Sequence, residues 1–156
     1  MTREALWPYA LEVYGRPGVE PLLLALQDAH GQCPPFLLWA LWLAASGRPV
    51  LLARLEANAE LARAWQDAAV APLRTLRRDL KQRGRAKTAH ARSRIRDGVK
   101  ALELEAERML LQMLEKASPA ISGAPTDPLA ALRLGVAAWA GDAPPALLDE
   151  LARLAA

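Results

Sequence analysis

The amino-acid sequence predicts an all-α protein: a single-domain helical bundle of about six to seven helices with a long basic helical hairpin. Three observations carry this prediction. The chain is rich in Ala, Leu and Arg, its β-branched residues are scarce, and no segment sustains the alternation of apolar and polar residues that marks strands. Apolar residues make up 53% of its 156 positions, which is enough for a buried core.

Turn residues separate the first three predicted helices. The first runs from about Arg3 to Tyr14, and the second from about Val19 to His30, where Gly31 stops it. The third contains the longest apolar run, Phe36 to Ala45, and ends before Gly47. At ~1.5 Å per residue that run covers about half of a ~30 Å hydrocarbon core, so a buried central helix is favoured over a lipid-embedded segment, and no membrane span is expected.

Two longer helical segments follow. Residues from Val50 to Arg83 form either one long helix or two abutting helices, with a boundary expected near Val70 to Pro72 because an interior proline loses a hydrogen bond and clashes with the preceding turn. Gly84 ends this run. The next helix begins between Ala86 and Arg94 and reaches about Lys116.

The last part of the chain reads as a connector and two short helices. Ser118 to Thr126 is rich in Pro, Gly and Ser, and Asp127 is a candidate N-cap for a helix that ends near Trp139. The final helix runs from about Pro145 to Leu154. We therefore expect residues 1–117 to form a helical core that includes the hairpin, and residues 118–156 to pack on the same domain.

Charge is distributed very unevenly along the chain. The segment from Arg74 to Lys100 holds eleven of the twenty Lys and Arg residues and two acids, a net charge of +9, while the rest of the chain is −6. A concentrated cationic stretch on an otherwise acidic protein needs solvent or an anionic partner.

The basic residues of both hairpin arms repeat at helical spacing, so each arm carries a one-sided positive stripe. If the chain reverses near Gly84, Arg77 lies near Arg92, and the two stripes meet. In that register Glu103 and Glu107 are expected too far along the second arm to neutralise the basic tip. The candidate anion- or partner-binding residues are Arg74, Arg77, Arg78 and Lys81 on the first arm and Arg92, Arg96 and Lys100 on the second.

These stripes suggest a binding function. Suspected partners are an acidic protein or a structured RNA, and the alternative is a charged hairpin that is only solvated. No aromatic residue lies between Gln66 and Ala138, which disfavours single-strand binding by base stacking. Residues 82–93 contain no large apolar side chain, so we expect this stretch to be mobile until a partner orders it.

Residues suited to catalysis are few. His30 and His90 are far apart and lie in no metal-binding pattern, and the single cysteine, Cys33, cannot form an intramolecular disulfide. We find no catalytic residue, no metal site and no need for a cofactor, so an enzyme is not expected. The lone cysteine and an N-terminus unlike a signal peptide favour a cytoplasmic location.

The tryptophans allow a second interpretation. They are expected mainly as core anchors, but Trp39, Trp42 and Trp65 are candidates for an apolar groove that would make the protein a carrier or sensor of a hydrophobic small molecule. A homodimer through an exposed apolar stripe of the long helices also stays open.

Several short motifs resemble a proteobacterial family of small conserved proteins of unknown function. They are Leu6-Trp7, the turn Pro17-Gly18-Val19, Leu24-Ala25-Leu26-Gln27-Asp28, and Pro72-Leu73-Arg74 followed by Leu76-Arg77-Arg78. The resemblance covers roughly Leu6 to Glu115. It implies a bacterial, cytoplasmic setting and adds no catalytic residue.

Overall fold

The structure, a computed structural model, describes residues 5–156, and this part of the chain is helical with no strand. A π-helical segment, Gln66–Val70, joins two of the α-helices without a break, so residues 5–156 form seven separate helices. The all-α prediction is confirmed. The elements are α1 (Leu6–Tyr14), α2 (Val19–His30), α3 (Pro34–Ala45), α4 (Leu52–Trp65), α5 (Ala71–Gln82), α6 (Ala89–Lys116), α7 (Pro128–Trp139) and α8 (Pro145–Ala155).

Most predicted boundaries agree with these helices to within one or two residues. The exception is the start of α1, where Ala5 is extended and the helix begins at Leu6. The predicted first turn at Arg3 and Glu4 lies outside the described residues.

The helices group into two compact units. Unit 1 contains the chain up to Glu60 and from Leu111 onward, and unit 2 is Leu61–Leu110. The division between the units falls inside α4 and α6. The connector after α6 is bonded to the end of α3 and belongs to unit 1.

The core of unit 1 is built around α3. Its residues Pro34 to Ala44 are all buried, and α1, α2 and α7 pack on it, while α8 packs on α2 and α7. The ring of Phe36 lies 5.3 Å, centroid to centroid, from the rings of both Trp39 and Trp139. The prediction of a buried central helix is confirmed. Within residues 5–156, no helix is both long enough and apolar enough to cross a membrane.

The connector between α6 and α7 is fixed to the end of α3 by backbone hydrogen bonds. Ser122 and Gly123 donate N–H groups to the carbonyl of Gly47 at 3.0 and 3.2 Å, and Thr126 donates to Ala44 at 2.9 Å. Gly47 has a φ of 73°, and a Cβ added there would lie 2.1 Å from the carbonyl oxygen of Gly123. Both the backbone conformation and the close approach therefore require glycine.

Helix α7 begins as its sequence predicts. The Asp127 carboxylate accepts hydrogen bonds from the backbone N–H groups of Leu129 at 3.2 Å and Ala130 at 3.1 Å. These bonds satisfy two of the N–H groups that a helix start leaves unpaired.

In unit 2, Pro72 neither breaks nor ends the helix. The turn before it widens to a π-helix over Gln66–Val70, in which Ala71 donates its N–H to the carbonyl of Gln66. Proline has no N–H to donate and its ring crowds the carbonyl four residues earlier, and a widened turn accommodates both effects. The predicted discontinuity is in the right place but has a different form.

Candidate anion-binding hairpin

The hairpin lies within unit 2. Its arms are α5 and the part of α6 up to Leu110, joined by residues 83–85 and a 3-10 turn, Ala86–Thr88. The chain therefore reverses one or two residues later than the predicted point at Gly84. Near the base of the hairpin, the Trp65 ring N–H donates to the carbonyl of Ala106 at 2.8 Å.

Two predicted contact residues of the first arm are engaged by acids of the second arm. Glu103 accepts hydrogen bonds from Arg74 Nε at 3.1 Å and from Arg77 Nε at 2.5 Å, and Glu107 Oε1 lies 3.5 Å from Arg74 Nη2. The predicted register did not bring these acids to Arg74 and Arg77 and is wrong in that respect, but neither acid pairs with Lys81, Arg85 or Lys87 at the tip. Helical side chains tilt toward the N-terminus of their own helix, so in antiparallel arms long arginines and glutamates reach toward each other along the axis.

The two carboxylates respond differently to this environment. Burial opposes ionisation of Glu103, but the hydrogen bonds and charges of Arg77 and Arg74 outweigh it, so the pKa of Glu103 lies below its ordinary value. For Glu107, burial dominates over the attraction of Arg74 and raises the pKa. The hydrogen bond to Glu103 raises the pKa of Arg77 in turn. Glu103 is therefore the charged centre of this cluster.

Arg92 holds the hairpin apex together. Its guanidinium donates to the carbonyls of Leu80 at 3.2 Å and Arg85 at 3.0 Å, and to the hydroxyl of Thr88 at 2.9 Å. Gly84 has a φ of 124°, and a Cβ there would lie 2.5 Å from Arg92 Nε. Arg92, predicted as a partner contact, is thus a structural residue that bonds both sides of the turn.

The other predicted contact residues differ in exposure. Arg96 is half-buried, and its Nε has no hydrogen-bond partner within residues 5–156, whereas Arg78, Lys81 and Lys100 are exposed. The structure adds exposed cations that belonged to the charge run but were not singled out as contacts. Together with Lys81 they form the basic apex: Lys81, Arg83, Arg85, Lys87 and Arg94.

The basic apex has little internal neutralisation. Arg83 lies 3.7 Å from Asp79, and no acid of residues 5–156 pairs with Lys81, Arg85, Lys87 or Arg94. Unit 2 as a whole contains thirteen Lys and Arg residues and six Asp and Glu residues, a net charge of +7. The positive charge thus sits at the tip, while the middle of the hairpin is internally paired.

The predicted tryptophan groove is not open. Trp39 and Trp42 are 1% and 0% exposed; the Trp39 ring N–H donates to the Ser118 hydroxyl at 2.8 Å, and the Arg48 guanidinium carbon lies 4.4 Å from the Trp42 ring centroid. Trp65 is half-buried and belongs to unit 2. Two of the three rings are core anchors because α3 is covered on all sides.

Unit 1 has a cavity of about 170 Å³ elsewhere, lined in part by Tyr9, Arg16, Leu41 and Thr126. This cavity borders neither Trp39 nor Trp42, and it is smaller than the ~300–1,000 Å³ of ordinary small-molecule sites. Arg16 already donates to the carbonyls of Leu154 and Ala156, each at 2.9 Å. The cavity does not favour a carrier of hydrophobic molecules.

Groups suited to metal chemistry do not converge in the described part of the chain. Among residues 5–156, no cluster of three or more His, Cys, Asp and Glu side chains could hold a metal ion. Cys33 is buried and forms no disulfide.

A family model described as a protein of unknown function, DUF2390, matches residues 5–114, more than two thirds of the chain. The chain belongs to the DUF2390 family. The match includes both arms of the hairpin and its apex, whereas α7 and α8 of this DUF2390 protein lie beyond it. The predicted resemblance to a small family of unknown function is confirmed. No curated protein and no solved structure matches this DUF2390 protein.

Proposed function

We propose that this protein is a non-enzymatic, cytoplasmic adaptor or regulator that docks on an acidic macromolecular surface, protein or RNA, through the basic apex of its hairpin. One observation carries the proposal: every residue from Lys81 to Ala91 is exposed, and this stretch contains four Lys and Arg residues and no acid. Exposed like charges repel one another, and an anionic surface would relieve that repulsion.

The internal ion pairs refine which residues make contact. Arg74 and Arg77 are held by Glu103, and Arg92 is held by backbone carbonyls, so these three support the hairpin rather than meet the partner. The contacts are assigned to the basic apex, with Arg78 and Lys100 as further exposed cations on the two arms. Binding should be salt-dependent because several cations are neutralised together.

The test uses a triple charge reversal at the tip, Lys81→Glu, Arg85→Glu and Lys87→Glu, in the full chain. Affinity purification from the native cell would compare it with wild type and with a matched control, Arg54→Glu, Lys116→Glu and Arg133→Glu, which changes the net charge equally at exposed positions in unit 1. We expect the apex variant to lose partners that both other proteins retain. Equal recovery by all three proteins would show that the apex is only solvated.

A salt titration separates protein from RNA as the partner. Full-length protein is mixed with a labelled RNA hairpin, and anisotropy is followed from low to high salt. An RNA partner predicts affinity that falls steeply with salt and is lost in the apex variant. No binding at low salt would remove the RNA version of the proposal.

A further inference from the structure

The hairpin has an exposed apolar row that no residue of unit 2 covers. Ile95, Leu102 and Met109 of α6 are 60%, 58% and 43% exposed. Neighbouring members of this row are seven residues apart in sequence. Seven residues of an α-helix complete two turns to within about 20°, so the three side chains lie on one side of α6, about 10.5 Å apart along its axis. On α5, Leu76 is 46% exposed.

The ion pairs place this row on one side of the hairpin. Arg74 and Arg77 meet Glu103 along one flank, and Leu76 is rotated by about 200° from Arg74 around α5. On α6, Leu102 is rotated by about 140° from Glu107, which pairs with Arg74. Leu76 and the row on α6 therefore face the flank opposite the ion pairs. One side of the hairpin is ionic, and the other is an open apolar strip ending at the basic apex.

We infer that this apolar strip, defined as Leu76, Ile95, Leu102 and Met109, binds an acidic amphipathic α-helix of a partner protein. The inference rests on the proposed function and names its partner class. Apolar residues at heptad spacing are the pattern that seats a second helix, because knobs at this spacing fit between the turns of a facing helix. The acids of that helix would meet the basic apex, where Arg94 directly precedes Ile95 in sequence.

The charge of unit 2 argues against a second copy in this position. Two units of +7 each would repel when their strips are brought together, whereas an acidic helix gains attraction from the same charges. RNA fits the strip poorly because aliphatic side chains offer no stacking surface for bases. Glu105, which is exposed and three residues from Leu102 on the helix, disfavours an anionic surface along the whole strip, as a bilayer would present. The acids of the partner helix are therefore assigned to the end that meets the basic apex.

Photo-crosslinking in the native cell tests the strip directly. The full chain carries p-benzoylphenylalanine in place of Leu102 or, as a matched control, in place of Leu104. Leu104 is 54% exposed on the same helix but is rotated by about 200° from Leu102. We expect the Leu102 site, and not the Leu104 site, to crosslink to a protein segment rich in acids with apolar residues at helical spacing. Crosslinks to a second copy, lipid or RNA, or equal yields from both sites, would overturn the inference.

The crosslinked segment is then synthesised as a peptide and titrated against full-length protein. We expect Leu102→Gln to raise Kd about tenfold or more and Leu104→Gln to leave it within about twofold, since a central apolar anchor carries much of such an interface. Both positions are exposed, so folding should be intact, which circular dichroism checks. If Leu102→Gln binds the peptide as tightly as wild type, the strip is not the binding site and the inference is wrong.

The apex variant Lys81→Glu, Arg85→Glu, Lys87→Glu separates the two proposals. If it loses the peptide and Leu102→Gln does not, the basic apex binds partners and the strip does not. If it binds the peptide as tightly as wild type at low salt, the proposed function fails, and the acidic character of the partner fails with it.

Discussion

Replacing Glu103 should destabilise the hairpin more than the loss of an ordinary surface ion pair. The side chains of Glu103, Arg74 and Arg77 are 10%, 16% and 24% exposed, and Glu103 accepts from Arg77 through both Nε and Nη2. A hydrogen bond to a charged group contributes ~1.5–3 kcal/mol to the free energy of unfolding. The net loss is smaller than the sum of the bonds, because the 3.4 Å contact of Arg77 Nη2 is weak and because water can hydrogen-bond to the arginines in the variant. Because glutamine keeps one acceptor oxygen, we expect Glu103→Gln to lower the free energy of unfolding by about 2 kcal/mol.

The assay is urea denaturation followed by circular dichroism, with hydrogen exchange of the α6 amides to locate the loss in unit 2. Glu105→Gln is the control, since Glu105 lies two residues away and is exposed. A double-mutant cycle with Arg77→Gln should give a coupling of at least ~1 kcal/mol. A loss below ~0.5 kcal/mol, in the range of exposed ion pairs, would refute the reasoning from these contacts.

The Glu103→Gln variant also tests how the stability contributed by Glu103 depends on pH. The pKa of Glu103 is lower in the folded protein than in the unfolded chain, so its ionisation stabilises the fold above the unfolded pKa, and this contribution disappears as the pH falls through the folded pKa. The stability difference between wild type and Glu103→Gln should therefore be full near about pH 7 and shrink toward about pH 3. A difference that grows on acidification would contradict this sign.

Three further substitutions probe other features. Gly47→Ala should unfold or strongly destabilise unit 1, measured as thermal stability, because its Cβ would strike the carbonyl of Gly123; unchanged stability would contradict this packing. Asp127→Ala should cost about 1 kcal/mol in urea denaturation, and Asp127→Asn, which keeps an acceptor, should cost less. Arg92→Met should speed hydrogen exchange in residues 83–88, where Lys100→Met, an exposed control, should not.

The sequence predicted local structure better than it predicted contacts. The full burial of α3 follows from a run with no polar face, and the start of α7 follows from a capping aspartate before a proline. The ion pairs of Glu103 were missed because a register counted from backbone positions ignores how far arginine and glutamate side chains lean along the axis. The apolar strip could not be predicted either. The spacing of apolar residues on α6 shows which of them share a face, but it does not show which face is left without a helix packed on it.

The π-helical segment determines how α5 is rotated about its axis, and so which of its side chains face the second arm. A π turn holds one residue more than the α turn it replaces, so deleting one residue from Gln66–Val70 would rotate α5 by about 100° about its axis. Arg74 and Arg77 would then point away from Glu103, even though every side chain of the ion cluster was still present. Point substitutions in this segment should thus be tolerated better than a change in its length, and a family member without the extra residue would need its acids at different positions on the second arm.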